Sequence, residues 1–176
     1  MPKLSKIEAA RRQLDTAIRL YFENDDLIAV HALSRAAFRV LYDLHPADDD
    51  YKKLVTQTIQ YLGWGNFTKL TNFLKHANLD PEGEADEPNE ADIQIGIGFA
   101  AMLYRKMTGT LTPEMEVFHV WMKVMNPEHF HSIREPDWEF EENYLDAVEV
   151  LKTQSREVRV LSGKVLLQSL KDKKLN

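Results

Sequence analysis

Apolar and polar positions follow one another with a period near 3.6 along most of the chain, and the breaks in that rhythm predict where helices stop. Leu4, Ile7, Leu14, Ile18 and Phe22 share one side, and Arg11, Arg12, Asp15 and Arg19 fill the other. Ser5 with Glu8 three residues on is a capping-box pattern that opens this helix, which ends near Glu23. Asn24-Asp25 supplies a turn and a cap for a second helix reaching about Leu44, where His45-Pro46 stops it. Its apolar residues, from Leu27 and Ile28 through Val30, Leu33, Phe38 and Leu41, cover more than one stripe, which predicts a central place in the fold.

Asp48, Asp49 and Asp50 favour the start of a third helix, and Gly63-Trp64-Gly65 interrupts it. Asn66 is the expected cap of a fresh helix, so residues 50–77 read as one broken helical pair. From Asp80 to Asp92 stand seven carboxylates with no Lys or Arg, a composition that predicts a solvated acidic loop. Ile93, Ile95, Ile97 and Phe99 alternate like a strand, but Ala100, Leu103, Tyr104 and Met107 continue at helical spacing to Gly109. A lone strand would have no partner to pair with, so the segment reads as a helix, with Gly96 and Gly98 permitting close approach of a neighbour.

Thr112-Pro113-Glu114 reads as cap, first-turn proline and first-turn acid of a helix running to Asn126-Pro127. An aromatic connector with Phe130, Trp138 and Phe140 follows, then helices near 141–153 and 156–172. The expectation is an all-α, single-domain bundle of about six to eight helices, with no internal repeat.

Composition narrows the chemistry. A chain of 176 residues suffices for one self-supporting core, and with no cysteine it has no disulfide, thiolate metal site or cysteine nucleophile. A net charge of -6 makes a nucleic-acid partner an unexpected one, since that surface is normally basic. The N-terminal MPKLSKIEAARRQ carries charges where a signal peptide has its apolar core, and no apolar run is long enough to span a bilayer, so a cytoplasmic protein without a membrane partner is expected.

The stretch NFLKHANLDPEG, residues 72–83, looks chemically pointed but reads as a helix ending. Lys75 and His76 suit the negative end of the dipole, Asn78 suits a left-handed position, Leu79 can touch Leu74, and Pro81 blocks continuation. His76 with Asp80 as a metal or acid–base pair is the weaker alternative. Glu116-x-x-His119 and Glu128-x-x-His131 have the spacing of ligands in helical metal bundles. Lys123 extends the first pair as an ordinary charged stripe, so the metal candidates Glu116, His119 and His31 are not favoured, and no cofactor is implied.

On the second helix His31, Arg35, Arg39 and Asp43 fall on one side at three- and four-residue steps. The plain reading is a solvent stripe with an Arg39–Asp43 ion pair; the functional one is a polar groove for an anion or an RNA backbone. Arg39 and His45 are also loosely similar in spacing to the catalytic pair of HEPN ribonucleases, although Val40 stands where that motif carries a polar residue. Gly96-x-Gly98 lacks both a third glycine and a preceding strand, and no phosphate loop, nucleophile elbow or HExxH is present. From Ser155 onward six Lys/Arg face two acids, with Val158, Leu161, Val165 and Leu166 as an apolar face. That basic helix is expected to dock on the body, on a second copy in a homodimer, or on an acidic surface.

KLSKIEAARRQLDTAIRLYFENDD, IAVHALSRAA, NFLKHANLDP and TGTLTPEMEVFHVWM together resemble a family of uncharacterised bacterial proteins whose middle element reads close to N-F-F-K-H-A-D-R-D-P. The likeness covers roughly residues 3–130; Leu74, Asn78, Leu79 and the glycines at 63 and 65 depart from it. It implies an all-helical bacterial fold and brings no catalytic residues. The resulting expectation is a non-catalytic binding or regulatory module with an unidentified protein partner. The rivals are a metal-dependent helical enzyme and a HEPN-like ribonuclease.

Overall fold

Ser5 accepts the Glu8 amide at 3.1 Å and starts α1, Lys6–Phe22. This computed structural model describes residues 3–76, 78–126 and 149–175. The Glu8 carboxylate does not return to the cap; it is held by Arg11 and Arg12, each at 2.7 Å. Asn24 then takes a left-handed φ of 59°, and Asp26, one residue later than the sequence predicts, caps α2, Leu27–Leu44. Asp26 accepts from the amides of Ile28 and Ala29, two donors that otherwise have no partner in a helix's first turn.

Asp49 caps α3, Asp50–Leu62, and Gly63 at φ 86° breaks the chain's direction before α4, Trp64–Lys75. The expected cap at Asn66 is not used: α4 begins two residues earlier, and Asn66 Nδ2 reaches back to the Leu62 carbonyl at 3.4 Å. The acidic segment is shorter than its composition suggests, because Asn89 caps α5, Glu90–Thr108, and Glu90 and Asp92 stand in its first turn. Two carboxylates there are favoured by the amide dipoles, so the same charges that argue for a loop also start a helix. Gly109, left-handed at φ 77°, closes α5.

Thr112 caps α6, Pro113–Met125, as the local chemistry requires, and α7, Arg156–Leu175, runs beyond the expected end. Residues 149–152 are helical and 153 is in a turn; residues 141–148 of the 141–153 prediction, the aromatic connector and the Glu128–His131 pair lie outside the described residues. The fold is an all-α single-domain bundle, and no strand occurs among the described residues. No helix among them is long and apolar enough to cross a membrane.

The central helix is α2, packed against α1 on one side and α5 on the other. Two aromatic clusters fill the interior. Tyr21, Phe22, Phe118 and Trp121 join α1 to α6, with Tyr21 and Trp121 edge to face at 5.5 Å. Phe38, Tyr42, Trp64, Phe67 and Phe99 join α2, α4 and α5, with Phe38 and Phe67 edge to face at 5.3 Å. Each such pair adds about 0.5–1.5 kcal/mol to what burial alone contributes.

The terminal helix docks on the body. Val160, Gly163 and Leu167 are buried, and Gly163 meets the Phe22 ring. The Trp121 indole N–H donates to the Arg159 carbonyl at 2.9 Å, and Lys164 pairs with Glu23 at 2.8 Å.

Candidate functional site

The polar stripe predicted on α2 divides in two. Arg39 and Asp43 pair at 2.8 Å with both side chains mostly exposed, as the plain reading expects. His31 and Arg35, two turns and one turn earlier, do not face water: each is 4% exposed, and they lie under α4 and beside α5. A helix surrounded on several sides has no single solvent face, so a three-and-four spacing alone does not place a polar stripe outside.

Arg35 is gripped from three directions. Its guanidinium carbon lies 3.5 Å from the centroid of the Phe67 ring, a close cation–π stack. Its Nη2 donates to the Asp92 carbonyl at 3.1 Å. Across from these, a Cβ on Gly96 would stand only 3.3 Å from Arg35 Cζ, so the buried glycine of α5 leaves the room that the guanidinium fills. Here lies the close approach expected at Gly96, made by a side chain; beside Gly98 there is open space. Yet Arg35 Nε and Nη1 are buried with no hydrogen-bond partner, and among the described residues no carboxylate is ion-paired to it. Burial pushes the Arg35 pKa down to about 10, with the Asp92 charge opposing, so it stays cationic at neutral pH.

His31 Nε2 and the Thr71 hydroxyl of α4 are 3.1 Å apart, and His31 Nδ1 has no partner. Burial and the Arg35 charge lower its pKa to about 4, so the ring is neutral at neutral pH. If Thr71 donates to Nε2, the ring proton sits on Nδ1, and the junction of α2, α4 and α5 holds three buried N–H groups without acceptors.

The other sequence candidates do not join this junction. His45 is buried and its Nε2 donates to the Leu103 carbonyl of α5 at 2.9 Å, which ties the end of α2 to its neighbour. Its Nδ1 faces Asp49 at 3.5 Å. Arg39 is committed to Asp43 on the surface. Glu116, His119 and Lys123 are half-buried along α6, and each is engaged by a neighbour, so the stripe is not simply solvated. Among the described residues, no three of the His, Asp and Glu side chains are placed to hold a metal ion.

In the 72–83 stretch, α4 ends at Lys75, and the exposed His76 occupies the C-cap position with its amide bonded to the Asn72 carbonyl at 3.0 Å. The left-handed residue expected at Asn78 is not found: Asn24 alone among the described non-glycine residues has a positive φ. Leu74 and Leu79 are both exposed, at 41% and 77%, so the expected apolar clasp is not buried. His76 and Asp80 both lie on the surface.

Three ionic clusters escape sequence reading because their members come from distant segments. Thr112 donates to Asp15 at 2.6 Å while Arg11 holds the other Asp15 oxygen at 2.7 Å; burial raises the Asp15 pKa despite these partners. Glu114, nearly buried, accepts from Arg19 and Lys171, each at 2.9 Å. Burial alone would raise the Glu114 pKa, but the two cations together bring it below the ordinary range. Tyr21 donates to Glu90 at 2.6 Å, Arg156 pairs with the same carboxylate at 3.0 Å, and Arg156 also reaches Asn24. All three knit α1 to α5, α6 or α7 and leave their carboxylates with partners. A shallow groove of about 360 Å³ between the end of α2 and α3, lined by Tyr42, Ala47, Lys52, Lys53, Thr56 and Gln57, is open to solvent. Comparison of the chain with protein-family models, curated proteins and solved structures finds no match.

Proposed function

We propose that the chain is a non-catalytic helical binding module, acting in a bacterial cytoplasm, that self-associates through the outer face of α7. The observation that carries this is that α7 is apolar on two opposite sides. Val160, Gly163 and Leu167 face the body, whereas Val158, Leu161 and Val165 are 42%, 54% and 57% exposed. At 100° per residue those three form a stripe opposite the buried face, and exposed apolar stripes mark interaction surfaces.

The stripe is self-complementary. Two α7 helices laid antiparallel with Val158 opposite Val165 bring the Leu161 side chains together at the dyad, the isologous arrangement of a two-fold dimer. Ser162 and Ser169 border one side and allow close approach. Glu157 and Lys164, the latter paired with Glu23, border the other. The placement of the ionisable residues adds support, since each cluster with a carboxylate is neutralised between helices. Three apolar side chains fall short of the about 800 Å² per partner of a stable complex, so the association is concentration-dependent.

Light scattering on the full chain across a range of concentrations tests it. The mass rises toward that of a dimer, and Leu161→Glu holds it at the monomer with unchanged thermal midpoint. A wild-type mass that stays monomeric at every concentration overturns the reading.

A further inference from the structure

A buried guanidinium with unfilled donors is costly. Each orphaned N–H forfeits the hydrogen bond it makes to water in the unfolded chain, and a charge without a countercharge forfeits more. Arg35 carries the first burden and part of the second, since Nε and Nη1 lack acceptors and, among the described residues, it donates to a neutral carbonyl, Asp92 O, with the Asp92 charge nearby but not ion-paired to it. Beside it, His31 Nδ1 is a third buried polar atom without a partner. What satisfies two cationic N–H groups together, joined by the imidazole N–H in the tautomer whose Nε2 accepts from Thr71, is an oxyanion.

The edge of the guanidinium defines where it fits. The Arg35 atoms nearest a Cβ at 96 are Cζ, Nε and Nη1, at 3.3–3.4 Å, so the α5 backbone at Gly96 lies over one face of the guanidinium, and the two orphaned N–H groups point out along its edge. Opposite, Phe67 covers the face of the guanidinium. Phe67 is also the one fully inward side chain of α4, which otherwise rests on partly buried contacts and follows a glycine break at Gly63. Elements with few buried contacts open at the smallest cost, and a glycine break before α4 lets it move without bending α3.

We propose that the junction of α2, α4 and α5 is a binding site for a small oxyanion, with Arg35 and His31 as donors, Gly96 seating the guanidinium so that its edge faces the ligand, and α4 forming the cover. The ligand class is a phosphate or carboxylate group small enough to lie under one helix. Binding neutralises Arg35 and holds α4 through Thr71 and Phe67, so occupancy tightens the α3–α4 arm. This site is independent of the α7 surface and stands or falls separately from self-association.

The test follows the Arg35 side-chain Nε–H and the His31 ring by NMR on the ¹⁵N-labelled full chain, titrated with inorganic phosphate or with acetate at fixed ionic strength. The expected result is a saturable shift of both residues with at least one probe; saturation by phosphate alone assigns a phosphate group, and saturation by acetate assigns a carboxylate. Gly96→Ala, whose added carbon meets only a flexible side chain, keeps its helical content and weakens binding by at least about tenfold, or about 1.4 kcal/mol. Unsaturated drift with both probes, or unchanged affinity in Gly96→Ala, overturns the proposal.

Discussion

Gly163 lies so close to the ring of Phe22 that any side-chain carbon at 163 would overlap it. This contact sets the distance between α7 and α1, and it lets Trp121 donate to the Arg159 carbonyl at 2.9 Å. Gly163→Ala therefore separates the helices, although alanine favours a helix over glycine by about 1 kcal/mol. Overpacking of about 1–3 kcal/mol outweighs that gain. Thermal unfolding should show a net loss, and Trp121 fluorescence should shift toward the emission of a hydrated indole.

Thr112 does two jobs with one hydroxyl: it accepts the Met115 amide at 3.3 Å as the cap of α6 and donates to Asp15 at 2.6 Å. Thr112→Ala removes the cap, costing about 0.5–2 kcal/mol, and strips a buried carboxylate of a donor, costing about 1–3 kcal/mol more. Thr112→Ser keeps both bonds. Denaturant midpoints should place the serine variant near the wild type and the alanine variant well below it.

His31 makes stability sensitive to acid. In the folded chain its pKa is lowered from 6.5 to about 4 by burial and by the Arg35 charge. Below pH 6.5 the unfolded chain binds a proton that the folded chain refuses, so the contribution is complete above that value and is lost as pH falls toward about 4. The slope reaches about 1.4 kcal/mol per pH unit and the total about 3 kcal/mol. Subtracting the stability profile of His31→Gln from that of the wild type isolates this share from the opposing effect of Asp15, whose raised pKa favours the fold in acid. A flat difference between pH 6.5 and 4 would show that the imidazole is hydrated.

Where a boundary rests on local chemistry, the residues announce it. Thr112-Pro113-Glu114 contains its own cap, fixed φ and favourable charge, and α6 starts there. Gly63 and Gly109 both adopt positive φ and end their helices. Position relative to distant segments is not announced. Glu90 and Asp92 look like the tail of an acidic loop until Asn89 caps a helix before them. Val158 and Val160 are the same residue two positions apart, and only the surface of Phe22 and Trp121 decides which faces inward. In the candidate site, the spacing groups Arg35 with Arg39, but burial separates them because Phe67 of α4 and Gly96 of α5 close over the first and leave the second in water.

That contrast gives a paired prediction. Arg39 and Asp43 are exposed i, i+4 partners, and Arg39→Met should change stability by less than about 0.5 kcal/mol, as such pairs do. Arg35→Met acts on opposite terms. It forfeits a desolvated cation–π contact of about 2 kcal/mol and a hydrogen bond to Asp92 O of about 1.5–3 kcal/mol. It also relieves two orphaned donors and an uncompensated buried charge, and replacing buried charged groups by apolar residues of similar volume is often neutral or stabilising by about 1–4 kcal/mol. Methionine follows the arginine stem and keeps sulfur against the Phe67 ring, so the balance falls near zero or on the stabilising side. Urea unfolding of the two variants beside the wild type measures it. A loss above about 3 kcal/mol for Arg35→Met would mean that water or a bound group already satisfies Nε and Nη1, making the guanidinium a structural clamp. Retained or increased stability would leave a residue kept at a cost to folding, the pattern expected of a side chain held for binding.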